Sequence, residues 1–182
     1  MSSGRIVKSF IAKDGRKVIL RTLKWEDLDD LLALINSLVE EKADIIKTVK
    51  VTREEEASWL SRALVSTERG EIFFIAAEVD GKVVANSEIS RGDGYSAHVG
   101  GLGIAIKSGF RDMGVGTEMM NALIDQGKSW GLKILTLSVF GSNSRAIYVY
   151  EKVGFVQVGR IPKKFFKEGK YDDEVLMTKA LE

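Results

Sequence analysis

The stretch from Ile104 to Thr117 restricts the fold of this 182-residue chain more than any other part of its sequence. An apolar strand pattern ends at Ile106, a short polar loop follows, and a helical pattern opens at a Gly-x-Gly turn, Gly114 to Gly116. The first N–H groups of a helix have no intrahelical partner and lie at the positive end of the helix dipole. A strand that leads through a glycine turn into a helix therefore predicts an anion site, and a pyrophosphate fits such a site.

The residue types in this turn suit a phosphate cradle. Gly114 and Gly116 remove side chains where the backbone must approach phosphate closely. The guanidinium of Arg111 can add a charge-assisted contact, and Thr117 a hydroxyl. Asp112 places a carboxylate beside the phosphates, so we expect its side chain to turn to solvent while its N–H faces them. An ordinary strand-to-helix turn with two convenient glycines is the alternative. The predicted cradle comprises Arg111, Asp112, Met113, Gly114, Val115, Gly116 and Thr117.

Two other phosphate-binding motifs are missing from the sequence. It contains no Gly-x-x-x-x-Gly-Lys-Ser/Thr, which excludes a P-loop. The dinucleotide fingerprint also fails, because Met119 stands where that fingerprint requires Gly or Ala.

Composition excludes several kinds of site. The chain has no Cys and a single His, His98, which excludes disulfides, cysteine nucleophiles and Cys- or His-rich metal centres, so we predict no metal. Its 27 basic and 26 acidic residues give a net charge of +1 and no electrostatic footprint for nucleic acid. The first ten residues lack the apolar core of a signal peptide, and no apolar run approaches the roughly 20 residues that span a bilayer. We therefore expect a cytoplasmic protein that binds neither nucleic acid nor membrane.

Strand and helix patterns alternate along the chain, and neither a repeat nor a low-complexity linker interrupts them. This alternation predicts a single mixed α/β domain over residues 1–182. Thr52 and Glu55 form a capping box that opens one helix, and Asp80-Gly81 is a hairpin turn. The predicted strands are 17–22, 71–79, 83–90, 98–106, 134–140, 155–160 and 173–179, and the predicted helices are 24–41, 52–66, the glycine turn to 130, and 143–152.

A second cluster of functional residue types follows the predicted strand 134–140. Asn143 is a good N-cap for a short helix, and Tyr150 lies seven residues further on, two turns away on the same face. Gly154 ends this helix. Taken alone, the pattern is more typical of a capped amphipathic helix with Tyr150 in the core.

Together the two segments resemble a known family. The pattern Arg111-x-x-Gly114-x-Gly116 resembles motif A of the GNAT (GCN5-related N-acetyltransferase) superfamily. The stretch from Asn143 to Phe155 resembles its motif B, Asn-x-x-Ala-x-x-x-Tyr-Glu-Lys-x-Gly-Phe. The two motifs stand about 30 residues apart with a helix and a strand between them, as the family requires.

The resemblance covers nearly the whole chain, because the order of elements fits from Lys17 to Lys179. The sequence departs from the family at two positions of the turn. Ser108 stands where the family often has Pro, and Asp112 where it often has Gly. The second departure bears on the phosphate site directly.

The resemblance implies a mixed, mostly antiparallel central sheet of about seven strands with about four helices and splayed central strands. It implies acetyl-CoA as co-substrate and transfer of the acetyl group to a primary amine by direct attack in a ternary complex. The acceptor stays open among a small amine, an amino acid, a protein N-terminus and a lysine side chain. Two other functions also stay open: a non-catalytic acyl-CoA-binding sensor or scaffold, and a nucleotide-binding domain of another kind.

By the same resemblance, the pantetheine of the cofactor inserts between the strand that ends at Ile106 and the strand after motif A. It would pair there with the backbone of Ile104 and Ile106, with Ala105 between them. Asn143 and Ala146 would contact it from motif B. The Ile106 N–H is then the candidate donor to the oxyanion of the tetrahedral intermediate.

Three residues are candidates for the acid and base roles. The unperturbed pKa of Tyr is about 10 and that of a thiol about 8.5, so Tyr150 is protonated at neutral pH and can donate to the departing thiolate. Glu88 and His98 are candidate general bases, since relatives place such a group on either strand. Water alone is the third option, and ordinary solvent-facing strand positions are the simpler interpretation of both residues.

The family builds its acceptor pocket from segments that correspond to residues 36–52 and 161–173. Glu40, Glu41 and Asp44 in the first segment could attract a cationic amine, but such a cluster is more commonly a solvated helix face. Three lysines in the second segment carry the opposite charge. The second segment also supports homodimers in this family, which we take as an expectation for this chain.

Overall fold

The structure, a computed structural model, describes residues 3–181 and gives them one sheet of eight strands with four α-helices. The mixed class and the helix number are confirmed, and the strand count is one higher than predicted. The strands are β1 (Ile6–Ile11), β2 (Lys17–Thr22), β3 (Ile72–Val79), β4 (Lys82–Arg91), β5 (Val99–Ile106), β6 (Ile134–Phe140), β7 (Val156–Lys167) and β8 (Lys170–Ala180). The helices are α1 (Leu28–Glu40), α2 (Arg53–Arg69), α3 (Val115–Ser129) and α4 (Ser144–Lys152).

The strands follow the order β1-β2-β3-β4-β5-β6-β8-β7 across the sheet. Among the strands of residues 3–181, only β5 and β6 run parallel, and they pair over just three residues each, 99–101 with 134–136. β5 continues to Ile106 without pairing to β6, so the two strands separate towards their carboxyl ends. The splay of the central strands and the mostly antiparallel sheet are therefore confirmed.

Helices pack on both faces of the sheet. Phe73 and Phe74 point to opposite faces of β3, as successive strand residues do. Phe73 joins the core beneath α3 and α4, together with Met119 and Leu123. Phe74 joins a second core beneath α1 and α2, which includes Leu60. Within the described residues, every helix is too short or too polar to cross a bilayer.

Two of the predicted turns form as expected. The Thr52 hydroxyl accepts the Glu55 N–H (3.2 Å) and the Glu55 carboxylate accepts the Thr52 N–H (2.7 Å), which completes the capping box of α2. Asp80 and Gly81 both adopt positive φ, 51° and 74°, as a tight hairpin between β3 and β4 requires.

α1 begins later than predicted, at Leu28, because a buried ion pair holds the preceding residues in a short 3-10 turn. The Asp27 carboxylate accepts two hydrogen bonds from the Arg21 guanidinium (2.7 and 2.8 Å) and one from the Lys24 N–H (2.9 Å). Arg21 also donates to Glu78 on β3 (2.7 Å). These bonds tie β2, β3 and the start of α1 together.

β1 has no counterpart among the predicted strands. Its sequence places Lys8 and Ser9 next to each other between apolar residues, so it lacks the alternation of a half-buried strand. It pairs with β2 alone at the edge of the sheet, with a register shift between Ile6 and Lys8. This segment is a strand because it pairs with β2 in the folded chain, and its own sequence pattern does not predict a strand.

β7 and β8 are longer than predicted. Most of the residues expected to connect these two strands belong to the strands themselves and complete a long hairpin. The β7 register shifts between Ile161 and Phe165, around Pro162, and Lys163 has a φ of 55°. Pro is compatible with an edge strand at such a bulge. The extended hairpin brings its turn, around Glu168, next to the end of α1.

Replacing Asp27 by Ala is expected to lower the free energy of unfolding by about 3 kcal/mol, because it removes one of the two carboxylates that neutralise the buried guanidinium of Arg21. Glu78 would be the carboxylate that remains. Urea denaturation followed by circular dichroism measures this change. Asp29→Ala is the control, since it removes an exposed ion pair with Arg53 and should cost far less. Equal losses in the two variants would contradict the assigned role of Asp27.

Candidate active site

A cavity of about 2000 Å³ lies where β5 and β6 separate. Its walls come from the turn before α3, the ends of β5 and β6, α4, and the α1–α2 connection with the first turns of α2. The predicted cofactor residues line it except Val115, whose side chain is buried in the core beneath α3. Those that line it are Ile104, Ala105, Ile106, Arg111, Asp112, Met113, Gly114, Gly116, Thr117, Asn143, Ala146 and Tyr150.

The backbone of β5 presents alternate residues to the gap. The Lys107 N–H donates to the Val84 carbonyl on β4 (2.9 Å), and the Val99 carbonyl accepts an N–H just after β4 (2.9 Å). Odd-numbered residues of β5 therefore bond towards β4, and strand alternation turns the backbone groups of Ile104 and Ile106 towards β6. These two residues are those that the resemblance assigned to the pantetheine.

The turn before α3 has the geometry of an anion site. Gly114 adopts a φ of 91°, and the first intrahelical bond runs from the Glu118 N–H to its carbonyl (3.1 Å). The N–H groups of residues 115–117 precede that bond and point out of the helix end. Gly116 also has a packing role, because a Cβ there would lie 3.2 Å from Ile106 Cδ1.

Arg111 links the turn to two other parts of the cavity. Its Nε donates to the Ile106 carbonyl (2.9 Å) at the end of β5. Its Nη2 pairs with the carboxylate of Glu41, at the end of α1. The guanidinium therefore lies between the end of β5 and the end of α1, with Glu41 as its ion-pair partner.

Asp112 turns its side chain away from the helix end. It has a φ of 64°, and its carboxylate pairs with Arg145 on α4 (3.2 Å) at an exposed position. Arg145 also lines the cavity. The carboxylate thus engages a cation that could otherwise face the phosphates.

α4 presents the residues of the second motif. The Asn143 side-chain oxygen accepts the Ala146 N–H (3.1 Å), which is the N-cap predicted from the sequence. Tyr150 is 8% exposed, belongs to the core beneath α4 and also lines the cavity. Burial raises the pKa of Tyr150 to about 12, so its hydroxyl carries a proton at neutral pH. Tyr150 is thus a core residue and a cavity residue at once.

The structure separates the two candidate bases. Glu88 lies opposite Gly103 on β5 and lines the cavity, and a Cβ on Gly103 would be 3.1 Å from Glu88 Oε1. Burial raises the pKa of the Glu88 carboxyl. His98 is exposed, precedes β5, and stands roughly 26 Å from Ile106 at about 3.3 Å per strand residue. Glu88 therefore lines the cavity, and His98 lies outside the cavity.

The carboxylates that seemed from the sequence to suit an amine are occupied. Glu41 pairs with Arg111, Asp44 with Lys167 (2.5 Å), and Glu40 with a lysine of the α1–α2 connection. The structure differs from both expectations, the amine-attracting cluster and the solvated helix face, because each of these carboxylates has a basic partner. No group of three or more metal-ligand side chains is placed to hold a metal ion within residues 3–181.

Sequence reasoning missed the wall of the cavity formed by α2 and β4. Glu56 and Trp59 on α2 line it together with Asn86 on β4, and Glu56 is only 8% exposed. A signal for Glu56 was present, because it shares the apolar stripe of α2 with Leu60 and Ala63. A carboxylate is rarely found on the apolar stripe of a helix, so this position could have drawn attention to Glu56 from the sequence.

A family model described as the acetyltransferase (GNAT) family matches residues 31–155. The match spans the cavity walls from α1 to the end of motif B. The chain belongs to this family, and it is an acetyl-CoA-dependent N-acetyltransferase.

Named relatives and solved structures agree with this assignment. The L-amino acid N-acetyltransferase AaaT of Escherichia coli (strain K12) is 30% identical over 136 residues, 73% of this chain and 82% of that protein. An N-alpha-acetyltransferase of Sulfurisphaera tokodaii is 26% identical over 93% of this chain and 97% of its own length. The crystal structure of a GNAT superfamily phosphinothricin acetyltransferase from Sinorhizobium meliloti, in complex with AcCoA, has the same fold, with a TM-score of 0.78. It is 18% identical, and the match covers 94% of this chain and 89% of that one.

Replacing Asp112 by Gly is expected to strengthen CoA binding about three- to tenfold, because it removes a negative charge near the phosphates and frees Arg145. The variant also removes a non-glycine residue from a positive φ. Isothermal titration with CoA measures the effect. Asp112→Asn is the matched control that removes the charge alone, and unchanged affinity in both variants would contradict this account.

Proposed function

We propose that the residues of this cavity transfer the acetyl group by direct attack of a primary amine on the thioester, in a ternary complex. One observation carries the proposal: the backbone of Ile104 and Ile106 faces the gap between the anion site at α3 and the carboxylate of Glu88. A thioester cofactor that spans this gap would present its carbonyl between Tyr150 and Glu88. The crystal structure of the Sinorhizobium meliloti relative contains AcCoA, which supports this ligand.

The phosphate end of the cavity fits the cofactor by its own chemistry. The N–H groups of residues 115–117 and the guanidinium of Arg111 offer donors and positive charge to a pyrophosphate. The gap-facing backbone groups of Ile104 and Ile106 offer a strand edge to the amides of pantetheine. Asn143 and Ala146 at the start of α4 close the other side.

The chemistry then needs three groups. Glu88 takes a proton from the acceptor ammonium, directly or through a water molecule, and the free amine forms a bond to the thioester carbon. The Ile106 N–H donates to the oxyanion of the tetrahedral intermediate. Tyr150 gives its proton to sulfur as the carbon–sulfur bond breaks, and its raised pKa keeps that proton available until then. The nitrogen loses its second proton as the amide forms, and solvent carries that proton to the Tyr150 phenolate, which restores the hydroxyl.

The acceptor class is narrowed only by the names of relatives. AaaT of Escherichia coli is an L-amino acid N-acetyltransferase, and the Sulfurisphaera tokodaii protein is an N-alpha-acetyltransferase. Both names describe transfer to an amine, and a free amino acid and a protein N-terminus share an α-amine. The two names therefore agree with a primary amine as the acceptor.

Two further expectations stay predictions: a homodimer and a cytoplasmic location. The edge strand β7 favours self-association, because it exposes several apolar side chains. Val156 and Val158 are 60% and 61% exposed, and Phe166 is 68% exposed.

Tyr150→Phe is expected to lower kcat about 10²-fold while the Kd for CoA stays unchanged, because the variant loses the proton donor and keeps the ring. Release of CoA from acetyl-CoA with a panel of primary amines measures kcat. Tyr148→Phe is the control, since this tyrosine on the same helix also lines the cavity but is 65% exposed. An unchanged kcat would remove Tyr150 from the mechanism. Binding of acetyl-CoA by the wild type without turnover on any amine would favour a sensor.

The base role of Glu88 predicts a specific pH dependence. Its carboxyl must be ionised to accept a proton, so kcat/KM of the wild type should rise with pH through the pKa of Glu88, which burial raises above its ordinary value. Glu88→Gln should remove this rise and lower kcat/KM. His98→Ala is the control, because His98 is exposed and distant from the cavity. If the rise in kcat/KM survives in Glu88→Gln, Glu88 is not the general base. If His98→Ala abolishes the rise, His98 is the general base instead.

A further inference from the structure

Glu56 lies in the cavity wall and has no part in the mechanism above. It belongs to the first turn of α2, is 8% exposed and lines the cavity. Its carboxylate makes no hydrogen bond or ion pair with any residue in the range 3–181. Its carboxylate oxygens keep accessible surface on the cavity side, so a cation in the cavity can reach this otherwise largely buried residue and stabilise its charge.

Asn86 places a second acceptor atom on the same wall. Its Oδ1 is buried, and within the described part of the chain it has no donor. Asn86 and Glu88 are two residues apart on β4, so their side chains share one face of the sheet, about 7 Å apart along the strand. Both line the cavity. Glu56 on α2 and the side chains of Asn86 and Glu88 on β4 thus all belong to the cavity lining.

Cations of the chain do not neutralise this group. Lys47 is the charged residue that acts on Glu56, but it is exposed and forms no ion pair with it within residues 3–181. Arg62 lines the same cavity and is exposed to solvent. The carboxylates nearer the turn differ, because Glu41 and Asp44 are each held by a basic side chain. The carboxylate of Glu56 is therefore available to a ligand that brings N–H donors and positive charge.

We propose that the acceptor carries a second cationic nitrogen, which Glu56 binds while the reacting amine lies at Glu88. This inference rests on the proposed acetyl transfer and names its acceptor class, short aliphatic compounds with two amines. A free diamine or polyamine has this chemistry, and so does an amino acid with an amine at the end of its side chain. Glu56 is a binding residue here, and Glu88 keeps the chemical role.

Matched acceptor pairs test the second nitrogen. 1,4-Diaminobutane and n-butylamine differ by one terminal amine, as do L-ornithine and L-norvaline. The wild type should show a kcat/KM about 10²-fold higher for the diamine of at least one pair, the size expected of charge-assisted hydrogen bonds to a buried carboxylate. A preference within the first pair identifies a free diamine, and one within the second pair identifies an amino acid side chain.

The variants locate the preference at Glu56. Glu56→Gln should reduce the ratio between paired acceptors to about threefold or less. Glu54→Gln, an exposed neighbour in the same turn that also lines the cavity, should keep the wild-type ratio. Lys47→Met removes the cation that competes for Glu56 and should raise the ratio about threefold or more, which keeps the inference testable if Glu56→Gln folds poorly.

The melting temperature provides a second test that does not depend on turnover. With CoA bound, 1,4-diaminobutane or L-ornithine should raise the melting temperature of the wild type, and the paired monoamine should not. Glu56→Gln should lose this difference.

Equal rates for both members of each pair would overturn the inference and leave the proposed acetyl transfer intact, since turnover would still occur. A ratio that survives in Glu56→Gln, or falls equally in Glu54→Gln, would also overturn it. No CoA release with any amine would overturn the proposed function and the inference together.

Discussion

The separation of β5 from β6 after three paired residues is the constraint on which the rest of the structure depends. At the closed end, Gly100 allows close packing, because a Cβ there would lie 2.8 Å from Leu132 Cδ1 and 3.0 Å from Leu135 Cδ2. Beyond that point, no strand of residues 3–181 pairs with the gap side of Ile104 and Ile106. Backbone groups in a protein interior need partners. Arg111 donates to the Ile106 carbonyl, and we propose that the amide groups of a linear ligand pair with the remaining groups of the gap.

Charge divides the cavity into two ends. The phosphate end combines the N-terminus of α3 with the guanidinium of Arg111. The proposed acceptor end holds the carboxylates of Glu56, which is largely buried, and of Glu88, which is half-buried, and desolvation raises the pKa of both. Ligand groups of opposite sign are favoured at the two ends, and this orients a reaction between a CoA thioester and an amine.

Local motifs made much of this site predictable. Helix ends, caps and turns depend on residues a few positions apart, so the cradle around Gly114 and the Asn143 cap follow directly from residue order. Pairing between distant segments does not follow in this way. The edge strand β1 and the long β7–β8 hairpin therefore differ from the prediction. The same limit left both Glu88 and His98 as candidates, because the register with β5 is what places Glu88 beside the cavity.

The sequence by itself determined the order of the helices and of the strands from β2 onward, the two motifs and the resemblance to the GNAT family, since each rests on short-range spacing. Only the tertiary structure decided which charged groups are engaged. Arg111 and Glu41 are 70 positions apart in the chain, and Asp44 and Lys167 are 123 apart. The acidic residues that suggested an amine site are thereby ion-paired, while Glu56 remains buried without an ion pair among the described residues. Ion pairing depends on distance in space, and residue order alone does not give that distance.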